Sequence, residues 1–355
     1  MKTSVNKALI AIGVLALAFL AYVVQLKNQN NNQEYMFQSP TVSRLGTFVT
    51  INIRAKNEAQ AKVGYFSALK AIDRVNELMS TYPDKPDSDL NRANRLAKEH
   101  KVAISDQTYT VIVKAKEFAD ITDGALDITV VPLIELWLRA SQEDGPPKEE
   151  LIAEAKGKMG LENIILNDKP EKTIAYNGDL KLNVDSLAKG YAVDQALQAI
   201  KNCDGIMAAL VDIGGEIACF GDYKDDGWFV GVCNPFDDEP NDPFRNNMRW
   251  KISVKDKAVA TSGDYRQFMM IQGIKYSHII DPRSGWPVKN VPSVTVIAND
   301  CMTADALATA ISVLGGEKGL ALVNTLEEVE CFIVVGDKEK SEIFKSDGFG
   351  RYLVD

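Results

Sequence analysis

Segments with strand and helix patterns follow one another in an irregular order along this chain. Residues 47–54 alternate apolar and polar side chains, as a half-buried strand does, whereas residues 58–79 repeat apolar side chains at helical spacing. A doubly wound sheet requires regular alternation of the two patterns. The order therefore favours an α+β fold with one catalytic domain of mostly antiparallel sheets flanked by helices, and a doubly wound parallel sheet is the alternative.

The rest of the chain continues in this mixed order. A helix is expected from Asp106 to about residue 119, and Asn177-Gly178 is a hairpin signal. Polar loops are expected at 80–95 and 142–150. The other predicted elements are helices at 186–200 and 304–314 and strands at 208–220, 228–233, 250–254 and 294–298.

The first 34 residues differ in kind from the rest. Residues 8–24 are uncharged and almost wholly apolar, with lysines on both sides, and an Asn-rich stretch follows at 28–33. We expect an uncleaved membrane anchor, with a cleaved signal as the alternative. The lysines on the short side place the catalytic domain, residues 35–355, outside the cytoplasm. The prediction is a bacterial inner-membrane protein with a periplasmic catalytic domain.

Composition excludes several classes of protein. The chain has 49 acidic and 40 basic residues, a net charge of −9, and no Lys/Arg-rich block, so nothing drives binding to a nucleic-acid backbone. Hydrophobic residues make up 46% and charged residues 25%, which is typical of a folded protein and excludes a disordered or multi-span chain. The five cysteines form no CxxC pair, so neither a disulfide framework nor a zinc site is indicated.

The strongest metal signal lies in residues 303–309. Asp305 and Thr309 are four residues apart, so on a helix they share one face. A carboxylate and a hydroxyl are oxygen ligands of the kind that Mg²⁺ prefers. The alternative is that Thr303 caps the helix and Asp305 interacts favourably with the helix dipole.

Three other segments carry more chemistry than a core requires. Residues 183–191 join a strand to a helix start, where main-chain N–H groups and Lys189 suit an anion such as pyrophosphate; an ordinary capped helix is the alternative. Residues 211–216 place a glycine pair between two apolar runs, which a simple bulge also explains. His278, in the block 278–285, suits proton transfer near neutral pH, or a structural role.

Taken together and in order, these blocks resemble a known family. They are MSTYPDKPDSDLNRAN (79–94), GALDITVVPLIELW (124–137), LNVDSLAKGYAVD (182–194), LVDIGGEI (210–217), VATSGDYRQF (259–268), HIIDPRSGWPV (278–288) and VTVIANDCMTADALATAISVLG (294–315). The chain resembles the FAD:protein FMN transferases, the ApbE-type flavin transferases, over residues 40–345. Seven blocks in the same order are far more specific than any one of them.

The resemblance implies an extracytoplasmic α+β enzyme that uses FAD as substrate and Mg²⁺ as cofactor. Such an enzyme cleaves the FAD pyrophosphate, joins FMN through a phosphoester to a threonine or serine of a partner protein, and releases AMP. The implied partners are flavin-acceptor subunits of membrane redox complexes. Two alternatives stay open, namely a Mg²⁺-dependent FAD pyrophosphatase that gives FMN and AMP, and a non-catalytic flavin-binding protein.

The resemblance also implies site residues. The flavin contacts fall on Leu45, Tyr82, Ala125, Leu126, Asp127, Asn183, Lys189 and Ile280. The metal contacts fall on Ser186, through its main-chain carbonyl, and on Asp305, Ala308 and Thr309. Asn183 stands where the family usually has Asp, and Leu45 where Met is usual. For proton transfer from the acceptor hydroxyl, His278 and Asp281 are the candidates.

Overall fold

The computed structural model describes residues 34–223, 227–236, 248–263 and 267–354. The predicted membrane anchor lies outside these residues and stays a prediction, as does the division at residue 34. The described residues contain two short 3₁₀-helices, Leu161–Asn163 and Phe349–Tyr352, and seven α-helices: α1 (Glu58–Met79), α2 (Asp89–Leu96), α3 (Asp106–Ile121), α4 (Val131–Gln142), α5 (Glu149–Lys156), α6 (Asp185–Lys201) and α7 (Cys301–Val323).

The strands of the described residues form four sheets. They are β1 (Tyr35–Gln38), β2 (Val42–Arg44), β3 (Thr47–Ala55), β4 (Val102–Ala103), β5 (Ile164–Asn167), β6 (Thr173–Tyr176), β7 (Ile206–Ile213), β8 (Glu216–Phe220), β9 (Trp228–Cys233), β10 (Met248–Val254), β11 (Ala258–Gly263), β12 (Phe268–Ile271), β13 (Ile274–Ser277), β14 (Ser293–Ala298), β15 (Glu330–Gly336), β16 (Ser341–Lys345) and β17 (Leu353–Val354).

The largest sheet has nine strands in the order β1-β3-β7-β8-β11-β14-β15-β16, with β2 paired to β3. Smaller sheets have the orders β17-β10-β9, β4-β6-β5 and β12-β13. Every strand pair in the described residues is antiparallel. The α+β prediction is therefore confirmed, and the doubly wound alternative is wrong.

The large sheet is buried on both faces because its strands alternate apolar residues between two layers. In β7, Ala209 and Val211 point into the main core with helices α1, α6 and α7. Their neighbours Ala208 and Leu210 point to the other face, against the small sheet β17-β10-β9. The helices that carry the candidate site are thus fixed on one face of a sheet that cannot shift in register without exposing its core.

A third apolar cluster supports the segment 278–288. Leu133 and Trp137 of α4 pack with Ile152 of α5 and with the β12–β13 hairpin, and Ile280 joins the same cluster. The Trp137 indole N–H donates to the Gly285 carbonyl at 2.9 Å. Burial of the aromatic ring and this hydrogen bond hold the turn after Ile280 in one position.

Some predicted elements differ from the observed ones. The expected loop at 80–95 contains α2, because the Ser88 hydroxyl caps its N-terminus and Leu90 and Ala93 give the short helix a buried face. Asn177-Gly178 does not join two strands, since the β5–β6 connection precedes it and β6 ends at Tyr176. Short polar helices and hairpin dipeptides are decided by packing that a local pattern does not contain.

Two helix caps also differ from the prediction. Ser105, rather than Asp106, caps α3, with its side chain accepting from the Thr108 N–H. At α7 the cap is Asp300, which accepts from the Thr303 N–H and hydroxyl, so Thr303 is inside the helix and is not its cap. Asp305 consequently lies more than one turn into the helix, where the dipole interaction proposed as its alternative role is weak.

Helix α7 is long and apolar enough to cross a membrane, but half of its most apolar window is buried inside the protein. It packs against α6, β11 and β14. Its apolar character is that of a core helix, which carries one buried carboxylate, Asp305.

Candidate active site

Two tight turns lie side by side at one end of the large sheet. The β2–β3 turn is Leu45-Gly46, and the β7–β8 turn is Gly214-Gly215; all four residues have positive φ. The Gly214 N–H donates to the Phe48 carbonyl at 2.9 Å. A Cβ on Gly214 would overlap the Thr47 side chain, so glycine is required there for space as well as for backbone angle.

The start of α6 lies next to the loop that contains Asp127. No side chain caps this helix, but the Asn183 Oδ1 atom accepts from the Asp185 N–H at 2.7 Å. The Asn183 N–H donates to the Ile128 carbonyl at 2.9 Å. Asn183 therefore connects two of the predicted flavin-binding segments through its main chain and orders the helix start through its side chain.

Helices α6 and α7 touch at Gly190. A Cβ at this position would overlap the Cys301 carbonyl, so only glycine allows the approach. One turn further along α6, the two carboxylate oxygens of Asp194 accept from the N–H groups of Cys301 and Met302 at 2.8 and 2.9 Å. Asp194 thus binds the N-terminus of α7 from a neighbouring helix. This contact sets the position of Asp305 in the next turn.

Asp305, Lys189 and Glu216 form a charged group in which the two carboxylates are buried and Lys189 is half-buried. The Asp305 Oδ2 atom accepts from the Gly190 N–H at 2.9 Å, and the Lys189 ammonium is paired with Glu216 Oε1. Asp305 and Glu216 are both about 3% exposed. Burial raises the pKa of both carboxyls, against the opposing effect of Lys189, and brings the pKa of Glu216 to about 7.

Lys189 keeps its charge in this setting. Burial alone would lower the pKa of its ammonium group, but the carboxylates of Asp305 and Glu216 raise it above the ordinary value. Lys189 is therefore a permanent positive charge next to Asp305. A fixed cation beside a buried carboxylate is suited to binding phosphate oxygens together with a metal ion.

The other predicted metal contacts are arranged along α7 and the start of α6. Thr309 is half-buried, with its hydroxyl 3.4 Å from the Ser262 hydroxyl at the end of β11. Ala308 is fully buried, and its carbonyl accepts a hydrogen bond from the Ser312 hydroxyl at 2.8 Å. Its methyl side chain can pack beside the site but cannot bind a metal ion. In a regular helix the Gly190 N–H would donate to the Ser186 carbonyl. Because the Gly190 N–H also donates to Asp305, the Ser186 carbonyl is more available to a metal ion.

These donors fit Mg²⁺ better than a softer metal. No cluster of three or more His, Cys, Asp or Glu side chains suited to a metal occurs in the described part of the chain. The available donors are instead oxygens: one carboxylate, one hydroxyl and a main-chain carbonyl. Mg²⁺ accepts such a small oxygen set because it keeps positions for water and for substrate phosphates.

The predicted flavin contacts form two further groups. Ala125 and Leu126 are 2% exposed, so their side chains belong to the core. Asp127 accepts from the Thr129 N–H and hydroxyl at 2.7 and 2.6 Å, and burial raises the pKa of its carboxyl. Tyr82 is 61% exposed and its hydroxyl lies beside Gly46, next to Leu45. An exposed ring beside a tight turn is a surface on which a flat ring system can stack.

The last predicted group follows the β12–β13 hairpin. Ile280 is 6% exposed and is paired with Pro287 by an isolated β-bridge. Asp281 is engaged by Arg283, whose Nε atom donates to Oδ1 at 2.9 Å. His278 is exposed, with Nδ1 2.8 Å from the Gln267 carbonyl. A bond from Nδ1–H to a carbonyl leaves Nε2 as the basic nitrogen.

The prediction from sequence missed three residues of this site. Glu216, Gly190 and Asp194 all lie in the quoted blocks, but none was assigned a role. A signal was present for two of them. Glu216 is a charged residue between a glycine pair and an apolar strand, and Asp194 lies four residues after Gly190, on the face of α6 that packs on α7.

The ApbE family matches residues 45–333 of this chain. The chain belongs to the ApbE family. It is 34% identical over 289 residues to a protein of Vibrio cholerae serotype O1 named FAD:protein FMN transferase, covering 80% of this chain and 83% of the relative. A protein of the same name from Escherichia coli K12 is 30% identical over 320 residues, covering 87% of each chain. The family predicted from the seven blocks is confirmed.

Solved structures give the same result for the fold. The flavin transferase ApbE from Vibrio cholerae superimposes with a TM-score of 0.75 at 30% identity, covering 90% of this chain and 100% of the other. The ApbE protein from Thermotoga maritima superimposes with a TM-score of 0.75 at 29% identity, covering 91% and 100%. The ApbE-like α+β architecture of this chain is therefore shared over almost its whole described length.

Proposed function

We propose that this protein is a Mg²⁺-dependent FAD:protein FMN transferase. It attaches FMN from FAD to a threonine or serine of an acceptor protein through a phosphoester and releases AMP. The observation that carries this proposal is the buried group of Asp305, Lys189 and Gly190, which places a carboxylate and a cation together beside Thr309. Membership of a family whose relatives bear this name supports the reaction class.

Asp305, Thr309 and the main-chain carbonyl of Ser186 are the residues that would hold Mg²⁺. When bound, the ion neutralises the charge of the pyrophosphate oxygens and polarises the phosphorus for attack. Asp305 Oδ2 is already engaged by the Gly190 N–H, whereas Oδ1 makes no hydrogen bond within the described residues. The free oxygen is available as a ligand, and the engaged one fixes the orientation of the carboxylate.

In this proposal Lys189 and the first turn of α6 bind the pyrophosphate. In the first turn the Asp185 N–H donates to Asn183 and those of Leu187 and Ala188 donate to the Val184 carbonyl, whereas the Ser186 N–H makes no hydrogen bond within the described residues and is available to an anion. Lys189 adds a charge that does not titrate near neutral pH. Both contribute by positioning and by electrostatic stabilisation, which is how most phosphoryl-transfer enzymes act.

The flavin lies, in this proposal, between Tyr82 with Leu45 on one side and residues 125–127, Asn183 and Ile280 on the other. Ala125, Leu126 and Ile280 are buried, so they would contribute main-chain contacts and a fixed wall. The Asn183 side chain is engaged with Asp185, in bonds of 2.7 and 2.9 Å, so its part in flavin binding is to order the helix start.

The chemical step transfers the FMN phosphoryl group to the acceptor hydroxyl. The hydroxyl oxygen bonds to the FMN phosphorus, the bridging P–O bond of the pyrophosphate breaks, and AMP leaves. The hydroxyl proton passes to a base, for which we propose His278 because its side chain is exposed and an imidazole can accept a proton near neutral pH. Asp281 is the less suitable base because Arg283 occupies its carboxylate.

We further propose that residues 1–27 anchor the protein in the bacterial inner membrane and that residues 35–355 are periplasmic. Acceptors would then be flavin-carrying subunits of membrane redox complexes, which expose their acceptor threonine on the same side. A fusion of alkaline phosphatase after Asp355 tests the orientation, because this reporter is active only in the periplasm. An inactive phosphatase fusion together with an active cytoplasmic reporter would exclude it.

The function is tested by incubating the full-length protein with FAD, Mg²⁺ and a purified acceptor subunit. We expect the intact mass of the acceptor to rise by one FMN and the acceptor band to become fluorescent in a denaturing gel. An acceptor whose threonine is replaced by valine should show neither the increase in mass nor the fluorescence. If the protein consumes FAD but no acceptor gains mass, the hydrolase alternative replaces the transferase.

A further inference from the structure

Glu216 is a buried carboxylate that is only half satisfied. It follows the Gly214-Gly215 turn at the first position of β8 and is about 3% exposed. Oε1 accepts from the Lys189 ammonium, but Oε2 is buried without a hydrogen-bond partner in the described residues. Leaving a buried carboxylate oxygen unpaired costs free energy, so a core position has no structural reason to retain this group.

Lys189 has three carboxylates within electrostatic reach, of which Asp305 and Glu216 are buried and Asp185 is exposed. Asp305 and Glu216 both attract its ammonium group, yet the ion pair is made with Glu216. Asp305 instead receives the neutral Gly190 N–H on Oδ2. When both buried carboxyls are ionised, Asp305, Glu216 and Lys189 together carry one excess negative charge. A bound divalent cation would make the net charge of the group positive, and a positively charged group suits the binding of a pyrophosphate.

We propose that Glu216 is a positioning residue that holds the Lys189 ammonium away from Asp305, so that Asp305 stays free for a divalent cation. Without Glu216, Asp305 is the remaining buried carboxylate that attracts this ammonium, since Asp185 is exposed to solvent. An ion pair between Lys189 and Asp305 would compete with the metal for the same oxygens. This inference deepens the proposed function and rests on it for the identity of the cation, Mg²⁺.

The inference is tested on the full-length protein without FAD, by titrating Mg²⁺ alone and measuring its affinity by isothermal titration calorimetry. We expect Glu216→Gln to weaken Mg²⁺ binding by about tenfold or more, because the amide no longer holds the ammonium. The matched control is Glu330→Gln. Glu330 is also a buried, ion-paired glutamate at the start of a strand, but it is paired with Arg351 and Ser346, and its variant should bind Mg²⁺ as the unaltered protein does.

The decisive variant removes both partners. In Glu216→Gln/Lys189→Met no ammonium competes for Asp305, so Mg²⁺ affinity should return to within about threefold of the unaltered protein. A purely structural role of Glu216 predicts no such rescue. Unchanged affinity in Glu216→Gln, or equal weakness in the single and double variants, would overturn the inference. If Glu216→Gln does not fold, the Lys189→Met variant tests the inference by itself. A loss of Mg²⁺ affinity in Lys189→Met would overturn the inference, because removing the ammonium should leave Asp305 free for the metal.

Asp305→Asn separates this inference from the proposed function. If the unaltered protein binds Mg²⁺ and Asp305→Asn does not, the metal site stands, and the behaviour of Glu216→Gln tests the inference alone. If Asp305→Asn binds Mg²⁺ as tightly as the unaltered protein, the proposed metal site fails, and the inference fails with it.

Discussion

The main-chain N–H of Gly190 donates a 2.9 Å hydrogen bond to Oδ2 of Asp305, although the two residues are 115 positions apart in sequence. The bond crosses the contact between α6 and α7, where glycine allows the two backbones to approach. It fixes one oxygen of a buried carboxylate and leaves the other without a hydrogen bond within the described residues. The geometry of the site therefore depends on how closely two helices pack.

Two substitutions at Asp305 separate its metal and structural roles. Asp305→Asn keeps an acceptor for the Gly190 N–H but loses the charge, so we expect loss of Mg²⁺-dependent turnover with little change in stability. Asp305→Ala also leaves a buried N–H unpaired and should lower the free energy of unfolding by about 1–3 kcal/mol. Urea unfolding and FAD turnover at limiting Mg²⁺ measure the two effects. Full turnover by Asp305→Asn would exclude metal binding by this residue.

Gly190→Ala should push α6 and α7 apart. Its methyl group would overlap the Cys301 carbonyl, and the main chain around it has little freedom to move. We expect a loss of about 1–3 kcal/mol in stability, together with weaker Mg²⁺ binding. Gly350→Ala is the control, because no atom lies within 4 Å of the added methyl group. Equal behaviour of the two variants would mean that the helix contact does not set the site.

Thr309 is predicted to be a weaker ligand than Asp305. Its hydroxyl is neutral and also lies 3.4 Å from that of Ser262. Thr309→Ala should raise the Mg²⁺ concentration needed for half-maximal turnover without abolishing turnover at saturating Mg²⁺. Thr309→Ser keeps the hydroxyl and should stay close to the unaltered protein. A Thr309→Ser variant as impaired as Thr309→Ala would indicate a packing role for the methyl group instead.

Asp194 should make stability depend on pH. Burial raises the pKa of its carboxyl from the ordinary 3.8 to about 7, against the lowering effect of its two hydrogen bonds to α7. Between about pH 4 and about pH 7 the Asp194 carboxyl is protonated more often in the folded state than in the unfolded state. The contribution of Asp194 to the free energy of unfolding therefore falls as pH rises from about 4 to about 7 and is then constant. Asp194→Asn should flatten this slope in urea unfolding measured across the same range. An unchanged slope would show that other groups cause it.

The fold could be predicted from the sequence where a pattern is local and long. Helix α1 was expected at 58–79 and occurs at Glu58–Met79, since apolar spacing over 22 residues leaves little ambiguity. The short helix α2 was missed because its stability comes from the Ser88 cap and from packing of Leu90. Strands such as β12 and β13 were missed because each has only four residues, about half of them exposed, which gives a weak signal.

The residues of the candidate site likewise fall into those that a local sequence pattern indicates and those that depend on contacts between distant segments. Asp305 and Thr309 could be paired from sequence because helical spacing places them on one face. The pairing of Lys189 with Glu216 could not, because it depends on how the β7–β8 turn meets α6, 27 residues apart in the chain. The contact between Gly190 and α7 also gives no signal in the local sequence, because the two residues it joins, Gly190 and Asp305, are 115 positions apart. Sequence blocks therefore predicted metal and flavin residues, which stay predictions, and the structure added the residues that contact and orient them.

In the proposed reaction FMN is transferred to protein and not to water. The most direct measurement is the amount of AMP released against the amount of FMN covalently bound to protein, in the same reaction with FAD, Mg²⁺ and an acceptor subunit. We expect a ratio of about one, and very slow AMP release when the acceptor is omitted, because the acceptor hydroxyl is the nucleophile. AMP release at the same rate without acceptor, with no protein-bound FMN, would exclude the transferase reaction.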